Sequence, residues 1–206
     1  MQAFTRVTGI AAPLDRPNVD TDQIIPKQFL KRIERSGYGP FLFYDWRYRG
    51  DGVTENPDFE LNRDPWRHAP VLLAGRNFGC GSSREHAAWA LEDYGVRAVI
   101  APSFSDIFRS NALKTGLLPV QLSEEVVTRW LDIAREDPGA VATVDLEQGY
   151  VEFAGERHAI ELDEDARERL VGGLDDIALS LRHAGAITSY EAQRPGRLPS
   201  TSAFAR

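Results

Sequence analysis

From residue 71 the apolar positions fall into a regular rhythm. Val71-Leu72-Leu73-Ala74 is an unbroken apolar run ending at Gly75, the pattern of a strand buried on both faces. Arg84 to Tyr94 has helical spacing and stops at Gly95. Val96 to Ala101 reads as a second strand, Phe104 to Thr115 as a helix closed by Gly116, and Leu117 to Leu122 as a third strand. Ser123 is placed to cap a further helix running to about Glu136. Short strands alternating with helices of roughly 10–15 residues predict parallel βαβ pairing.

The flanks have a different texture. Phe4, Arg6, Thr8 and Ile10 alternate with Thr5, Val7 and Gly9, as in a short first strand, and the turn formers of Pro13 to Asp22 then lead into Gln23-Ile24-Ile25-Pro26. Beyond Pro138, Val141 to Asp145, Tyr150 to Phe153 and His158 to Leu162 read as strands around turns at Gln148-Gly149 and Gly155-Glu156. A last helix starts near Asp163, with Gly172-Gly173 as a weak point inside it. Residues 36–70 show no period and are broken by glycines and prolines, yet they carry Tyr38, Phe41, Phe43, Tyr44, Trp46, Tyr48, Phe59 and Trp66. Disordered linkers lack aromatics. This insert is expected to cover a cleft or meet a partner, with core packing as the alternative. One folded unit over 1–190 is expected, with 191–206 a flexible tail and disorder already anticipated after Ala186.

Composition narrows the function classes. The chain has 206 residues, 42% hydrophobic and 27% charged, with net charge −7. That balance argues against a general nucleic-acid or anionic-membrane role. It contains no apolar run of about 18 residues for a membrane span and no signal-like N-terminus, so a cytoplasmic location is expected. A lone Cys80 excludes an internal disulfide and a self-contained iron–sulfur cluster, which needs about four cysteines. The four histidines stand too far apart for an autonomous zinc site, so no metal is assigned to this chain.

The chemistry concentrates in Gly75-Arg76-Asn77-Phe78-Gly79-Cys80-Gly81-Ser82-Ser83-Arg84-Glu85-His86, a strand running through a glycine-rich turn into a helix. Glycines let such a turn approach a ligand closely. Ser82-Ser83-Arg84-Glu85 fits a capping box, which places Ser82 at or near the N-cap. Open N–H groups, the positive helix end and the Arg84 fork then suit a carboxylate or phosphate. A well-capped turn with no ligand is the other reading. The spacing matches neither a P-loop nor a dinucleotide fingerprint, and no Gly-x-Ser-x-Gly elbow marks a serine hydrolase.

The run from Gly75 to Ala87 closely resembles the signature of the swivelling domain of the aconitase superfamily. Asn18-Val19-Asp20-Thr21-Asp22-Gln23-Ile24-Ile25-Pro26-Lys27 resembles that domain's N-terminal signature, and Phe41-Leu42-Phe43-Tyr44-Asp45-Trp46-Arg47-Tyr48 is similar to the small-subunit branch of bacterial isopropylmalate isomerases. The three blocks occur in family order and span nearly all of residues 1–190. The resemblance implies an α/β fold, a swivelling β/β/α domain with a partly parallel sheet flanked by helices. It implies a small subunit that works only with a larger partner, the large subunit, in which a [4Fe–4S] cluster is held and whose open iron assists loss of hydroxide. The implied reaction is the interconversion of 2-isopropylmalate and 3-isopropylmalate, by dehydration and rehydration, in leucine biosynthesis. Alternatives are the small subunit of a homoaconitase-like or methyl-substituted malate hydro-lyase, or a non-catalytic carboxylate-binding module.

Site roles follow from the same resemblance. Ser82 is implied as the catalytic base, removing a proton alpha to a carboxylate, while Ser83 and Arg84 bind substrate carboxylates. Asp20, Thr21 and Asp22 form a supporting loop that orients Arg84 or its neighbours; an Asx-turn bonded only to itself is the alternative. Phe29, Leu30 and Lys31 fall in a loop that recognises the substrate's variable group. His86 is expected at an interface or in packing, and Cys80 as a small packing residue.

Overall fold

The computed structural model describes residues 1–31, 34 and 36–195. Strand β1 (Arg6–Leu14) leads through the short helix α1 (Thr21–Ile24) and the irregular segment holding α2 (Tyr44–Arg47) to β2 (Val71–Ala74). Three alternations follow: α3 (Glu85–Tyr94), β3 (Ala98–Ala101), α4 (Asp106–Thr115), β4 (Leu118–Gln121) and α5 (Glu124–Glu136). The hairpins β5 (Val141–Asp145), β6 (Tyr150–Phe153) and β7 (Glu156–Ala159) come next. The chain then closes with α6 (Glu164–Gly172), α7 (Asp176–Leu181) and α8 (Ala184–Gln193).

One seven-stranded sheet has the order β4-β3-β2-β1-β5-β6-β7. Its first four strands are parallel, and β5, β6 and β7 continue antiparallel from the other side of β1. β1 is the splice. Its first half, Arg6 to Ile10, pairs with β5, and its second half, Ala11 to Leu14, pairs with β2. Pro13 is tolerated because β5 has already ended, leaving no partner on that side that needs its missing N–H; Pro119 lies in β4 at the sheet edge for the same reason.

Alternate strand residues serve two cores. Leu72, Ala74, Val99 and Ala101 face α3, α4 and the aromatic segment, while Val71, Leu73, Ala98 and Ile100 face Trp130 and Leu131 of α5 and Leu170 of α6. The helix stops fall where glycines supply a left-handed residue: Gly95 at φ +115° and Gly116 at φ +109°. Gly173, at φ +62°, ends α6 rather than lying inside a longer helix.

Two expectations need correction. The aromatic insert is core, not cover: Tyr38, Leu42, Phe43 and Phe59 are buried in the same cluster as Leu72 and Val99. Its irregular backbone survives burial because side chains satisfy it. Asn62 Nδ2 donates to the carbonyls of Arg47 (2.6 Å) and Asn56 (2.9 Å), and buried Arg47 donates to the Gly39 carbonyl at 3.0 Å. The region after Ala186 is helical, within α8, as far as Gln193; residues 196–206 of the expected tail lie outside the described residues.

Candidate active site

The site is built where parallel strands of an α/β sheet commonly expose one, beyond their carboxyl ends. The loop after β1 carries Asp20, Thr21 and Asp22, and the loop after the adjacent β2 carries Ser82, Ser83 and Arg84. Backbone bonds zip the two together: Asn18 N to Arg76 O (2.8 Å), Gly79 N to Val19 O (2.8 Å) and Thr21 N to Cys80 O (2.8 Å). Asn77 Nδ2 adds a bond to Asn18 Oδ1 at 2.8 Å. From the other side, the loop after β3 staples the glycine turn, with Ser103 Oγ accepting from Asn77 N and Ser105 Oγ donating to Gly79 O. Gly79 must be glycine. Its φ is +73°, and a Cβ there would stand 2.2 Å from Cγ of Phe108.

The capping box lies elsewhere than expected. Asp20 caps α1, its carboxylate accepting from Gln23 N (2.8 Å) while Gln23 Oε1 accepts from Asp20 N (2.9 Å). Ser82 is not the N-cap of α3; Arg84 is, with extended backbone (φ −141°, ψ 109°) and no side-chain cap. The reason is tertiary. Gly81, at φ +93°, turns the chain toward Thr21, whose hydroxyl donates to the Ser82 carbonyl at 2.9 Å and holds Ser82 outside the helix. Ser82 and Ser83 are exposed. Because the Thr21 proton is committed to that carbonyl, the 3.5 Å contact between the two hydroxyls has Ser82 donating. Among the described residues no donor reaches its lone pairs.

Arg84 is the best-held group. Its side chain is 13% exposed, and Nη1 and Nη2 donate to the two carboxylate oxygens of Asp22 at 2.5 and 2.9 Å. Nη1 also reaches the Ile25 carbonyl at 3.3 Å. Nε and the second Nη2 hydrogen have no partner among the described residues. These two N–H groups form the side-on fork that fits a carboxylate. Asp22 therefore occupies one edge of the guanidinium and leaves the other free.

The Arg84 hydrogen bonds, aided by the charges of Arg84 and Lys27, hold the Asp22 carboxyl below its ordinary 3.8 against a smaller opposing effect of burial. A depressed carboxyl contributes stability present above its unfolded pKa and lost as pH falls through the folded value. The pair is thus intact at neutral pH and opens only below about 3.8. The Asp22 carboxyl carbon, followed by NMR, is expected to titrate below 3.8 in the native chain and to move back up in Arg84→Gln. An unchanged midpoint in the variant would break the assigned coupling.

Phe29 does not join this group. Its ring stacks on Phe41 (4.2 Å between centroids) and meets Tyr44 edge-on (4.7 Å), so it anchors the loop after Pro26. Leu30 packs against the core and Lys31 is exposed. No hydrogen bond or ring contact among the described residues links Phe29, Leu30 or Lys31 to Ser82, Ser83 or Arg84. His86 packs against Tyr38 and Trp89, and burial lowers its pKa, favouring the neutral ring. Cys80 is half-buried, with burial raising its thiol pKa. Among the described residues no three His, Cys, Asp or Glu side chains gather as a metal site, and no helix is long and apolar enough to cross a membrane.

Sequence reading missed the staples Asn18, Asn77, Ser103 and Ser105. The signals in the sequence were the asparagines themselves, a residue type that tolerates the φ +57° both adopt, and the place of Ser103 and Ser105 just after the apolar run of β3. A cavity of about 740 Å³ adjoins the stapled loops at Arg76 and Ser103 and extends past β4 to Arg109 and His158, without Ser82, Ser83 or Arg84 in its lining. Ser82 and Ser83 instead stand on open surface, the form of half a site.

The Aconitase C-terminal domain family matches residues 1–125, and the family of the C-terminal domain of the 3-isopropylmalate dehydratase small subunit matches residues 176–199. A 3-isopropylmalate dehydratase small subunit of Rhodopirellula baltica is 56% identical over 195 residues, spanning 94% of this chain and 100% of the relative. The protein of that name from Methylibium petroleiphilum is 53% identical over 208 residues, spanning 97% and 96%. The crystal structure of 3-isopropylmalate dehydratase from Methanocaldococcus jannaschii superposes with a TM-score of 0.62 at 26% identity, covering 90% of this chain and 99% of that one. With a family model over more than half of its length and identities above 50% over nearly the whole of both chains, the chain belongs to the 3-isopropylmalate dehydratase small-subunit family of the aconitase superfamily.

Proposed function

We propose that this chain is the small subunit of a cytoplasmic hydro-lyase that interconverts 2-isopropylmalate and 3-isopropylmalate in leucine biosynthesis, acting only with a large subunit. The observation that carries the reading is the open half-site: an exposed serine pair beside an arginine whose carboxylate-binding fork is held ready by Asp22. Full-length similarity to small subunits of that name supports the substrate class.

In this reading Arg84 binds a substrate carboxylate side-on, and Ser83 adds a hydrogen bond to a carboxylate. Ser82 Oγ, in its deprotonated form, takes the proton from the carbon alpha to a carboxylate, becoming the hydroxyl, and gives that proton back during rehydration. Asp22 holds the guanidinium in one orientation through two hydrogen bonds. Phe29 anchors the loop that presents Leu30 and Lys31 toward the substrate's variable group. A single half-buried cysteine cannot ligate a [4Fe–4S] cluster, so that cofactor is assigned to the large subunit and no step here is routed through it.

The test is reconstitution. The chain alone is expected to be free of iron and inactive; with the large subunit it should hydrate and dehydrate isopropylmalates in preference to homocitrate or methyl-substituted malates. Stoichiometric iron in the isolated chain, or a complex that prefers another malate, would overturn the assignment.

A further inference from the structure

Between Ala74 at the end of β2 and Glu85 at the start of α3 the chain runs outside helix and strand, touching its neighbours through single bridges at Phe78 and Cys80. The place of Ser82 is therefore set by what grips this turn. Its softest part is Gly79 to Gly81, where two residues of three lack a side chain and φ reaches +73° and +93°. The Gly79–Cys80 peptide directs the chain into Gly81 and Ser82. Its N–H donates to the Val19 carbonyl at 3.2 Å, and its carbonyl accepts from Ser105 Oγ at 2.6 Å. One peptide plane is held from two sides, by the backbone after β1 and by a side chain after β3.

Ser105 is itself well fixed. It is half-buried at the N-cap of α4, where the same oxygen accepts from Phe108 N at 3.3 Å, and its own N–H donates to the Phe78 carbonyl at 3.1 Å. Phe108, in the first turn of α4, is buried directly against Gly79. The hydroxyl thus has two tasks with different requirements. Capping α4 needs only a lone pair, whereas gripping the Gly79 carbonyl needs the proton.

The two functional side chains depend on this grip unequally. Asp22 and the Ile25 carbonyl hold the Arg84 guanidinium directly. Among the described residues Ser82 is held only through Thr21, at its carbonyl by a 2.9 Å bond and at its hydroxyl by the 3.5 Å contact. We infer that Ser105 is a positioning residue for Ser82, its hydroxyl fixing the Gly79–Cys80 peptide and so setting where the Ser82 side chain stands. The inference rests on the proposed function above, which makes Ser82 the base.

The experiment is steady-state kinetics of the complex with the large subunit, at saturating small subunit. Ser105→Asp and Ser105→Gly both leave α4 capped, aspartate about as well as serine and glycine nearly so, and neither offers a proton at neutral pH. Both variants are expected to keep the circular dichroism of the wild-type chain and to lose kcat by roughly 10-fold or more, short of the roughly 10²-fold that an ångström of misplacement can cost. KM should stay within about twofold, because Arg84 keeps its own anchors. Ser105→Thr, which retains both lone pair and proton, should restore wild-type kcat. In the Ser82→Ala background Ser105→Asp should cost nothing further, since its effect passes through Ser82. A serine that only caps α4 would give wild-type kcat in the aspartate and glycine variants, and that result overturns the inference. A rise in KM at unchanged kcat, or additive losses in the double variant, overturns it as well. Near-normal turnover of Ser82→Ala alone is a separate failure: it removes Ser82 as the base, and the positioning role falls with it.

Discussion

Replacing Ser82 with alanine is expected to leave the chain folded and the complex assembled while cutting turnover by roughly 10²–10⁴-fold, the range for a removed general base. The structure makes the two effects separable. Ser82 does not cap α3, its side chain is exposed, and its hydroxyl contact is with Thr21 Oγ1 at 3.5 Å, the outer limit of a hydrogen bond. Removing it should shift stability by no more than about 0.5 kcal/mol, the usual limit for surface substitutions. Had Ser82 been the N-cap, about 1 kcal/mol would have gone with it. Turnover of the saturated complex and thermal melting of the isolated chain are the two measurements. Turnover within a few-fold of wild type would show that the proton is taken by another group. A serine alkoxide also needs donors around it, and Thr21, whose proton is spent on the Ser82 carbonyl, supplies none in this arrangement. The first-turn N–H groups of α3 carry no side-chain cap, and the positive helix end is the donor set this chain offers beside Arg84.

The contrast between the two ends of α3 explains what could be read from the residues. Its C-terminus was legible because Gly95 acts locally: a left-handed residue stops a helix whatever surrounds it. Its N-terminus was not. Ser82-Ser83-Arg84-Glu85 has the composition of a capping box, but Thr21, 61 residues away, holds the Ser82 carbonyl and keeps the turn extended. The true box, Asp20 with Gln23, sat in plain view inside a loop that resemblance had already marked for other reasons. The aromatic segment failed for a related cause. Periodicity reports burial only when the backbone satisfies itself as helix or strand. Between Tyr38 and Leu61 the backbone is satisfied partly by Asn56, Asn62 and Arg47 side chains, so the core there has no period to read. The parallel half of the sheet was legible because its buried strands are uniformly apolar, whereas the switch at β1 from an antiparallel to a parallel neighbour leaves no mark in nine residues.

The second large effect belongs to Arg84. Lysine at this position keeps the charge and loses the geometry. One guanidinium edge is spent on both oxygens of Asp22, and the side-on edge formed by Nε and Nη2 has no partner among the described residues. A single lysine ammonium has no planar fork with which to satisfy Asp22 and also grip a carboxylate through two parallel bonds. A charge-assisted hydrogen bond contributes about 1.5–3 kcal/mol, so kcat/KM in the reconstituted complex is expected to fall by roughly 10- to 100-fold in Arg84→Lys. Arg84→Gln should fall further, because it removes the charge as well as the fork. Asp22→Asn offers the complementary measurement: it frees the end-on edge without touching the fork, so a smaller loss is expected, carried by looser orientation. Combining Asp22→Asn with Arg84→Gln should cost little more than Arg84→Gln alone, since Asp22 acts through the arginine and a double-mutant cycle exposes that dependence. Additive losses would give Asp22 a separate role, and wild-type kinetics for Arg84→Gln would remove Arg84 from the site.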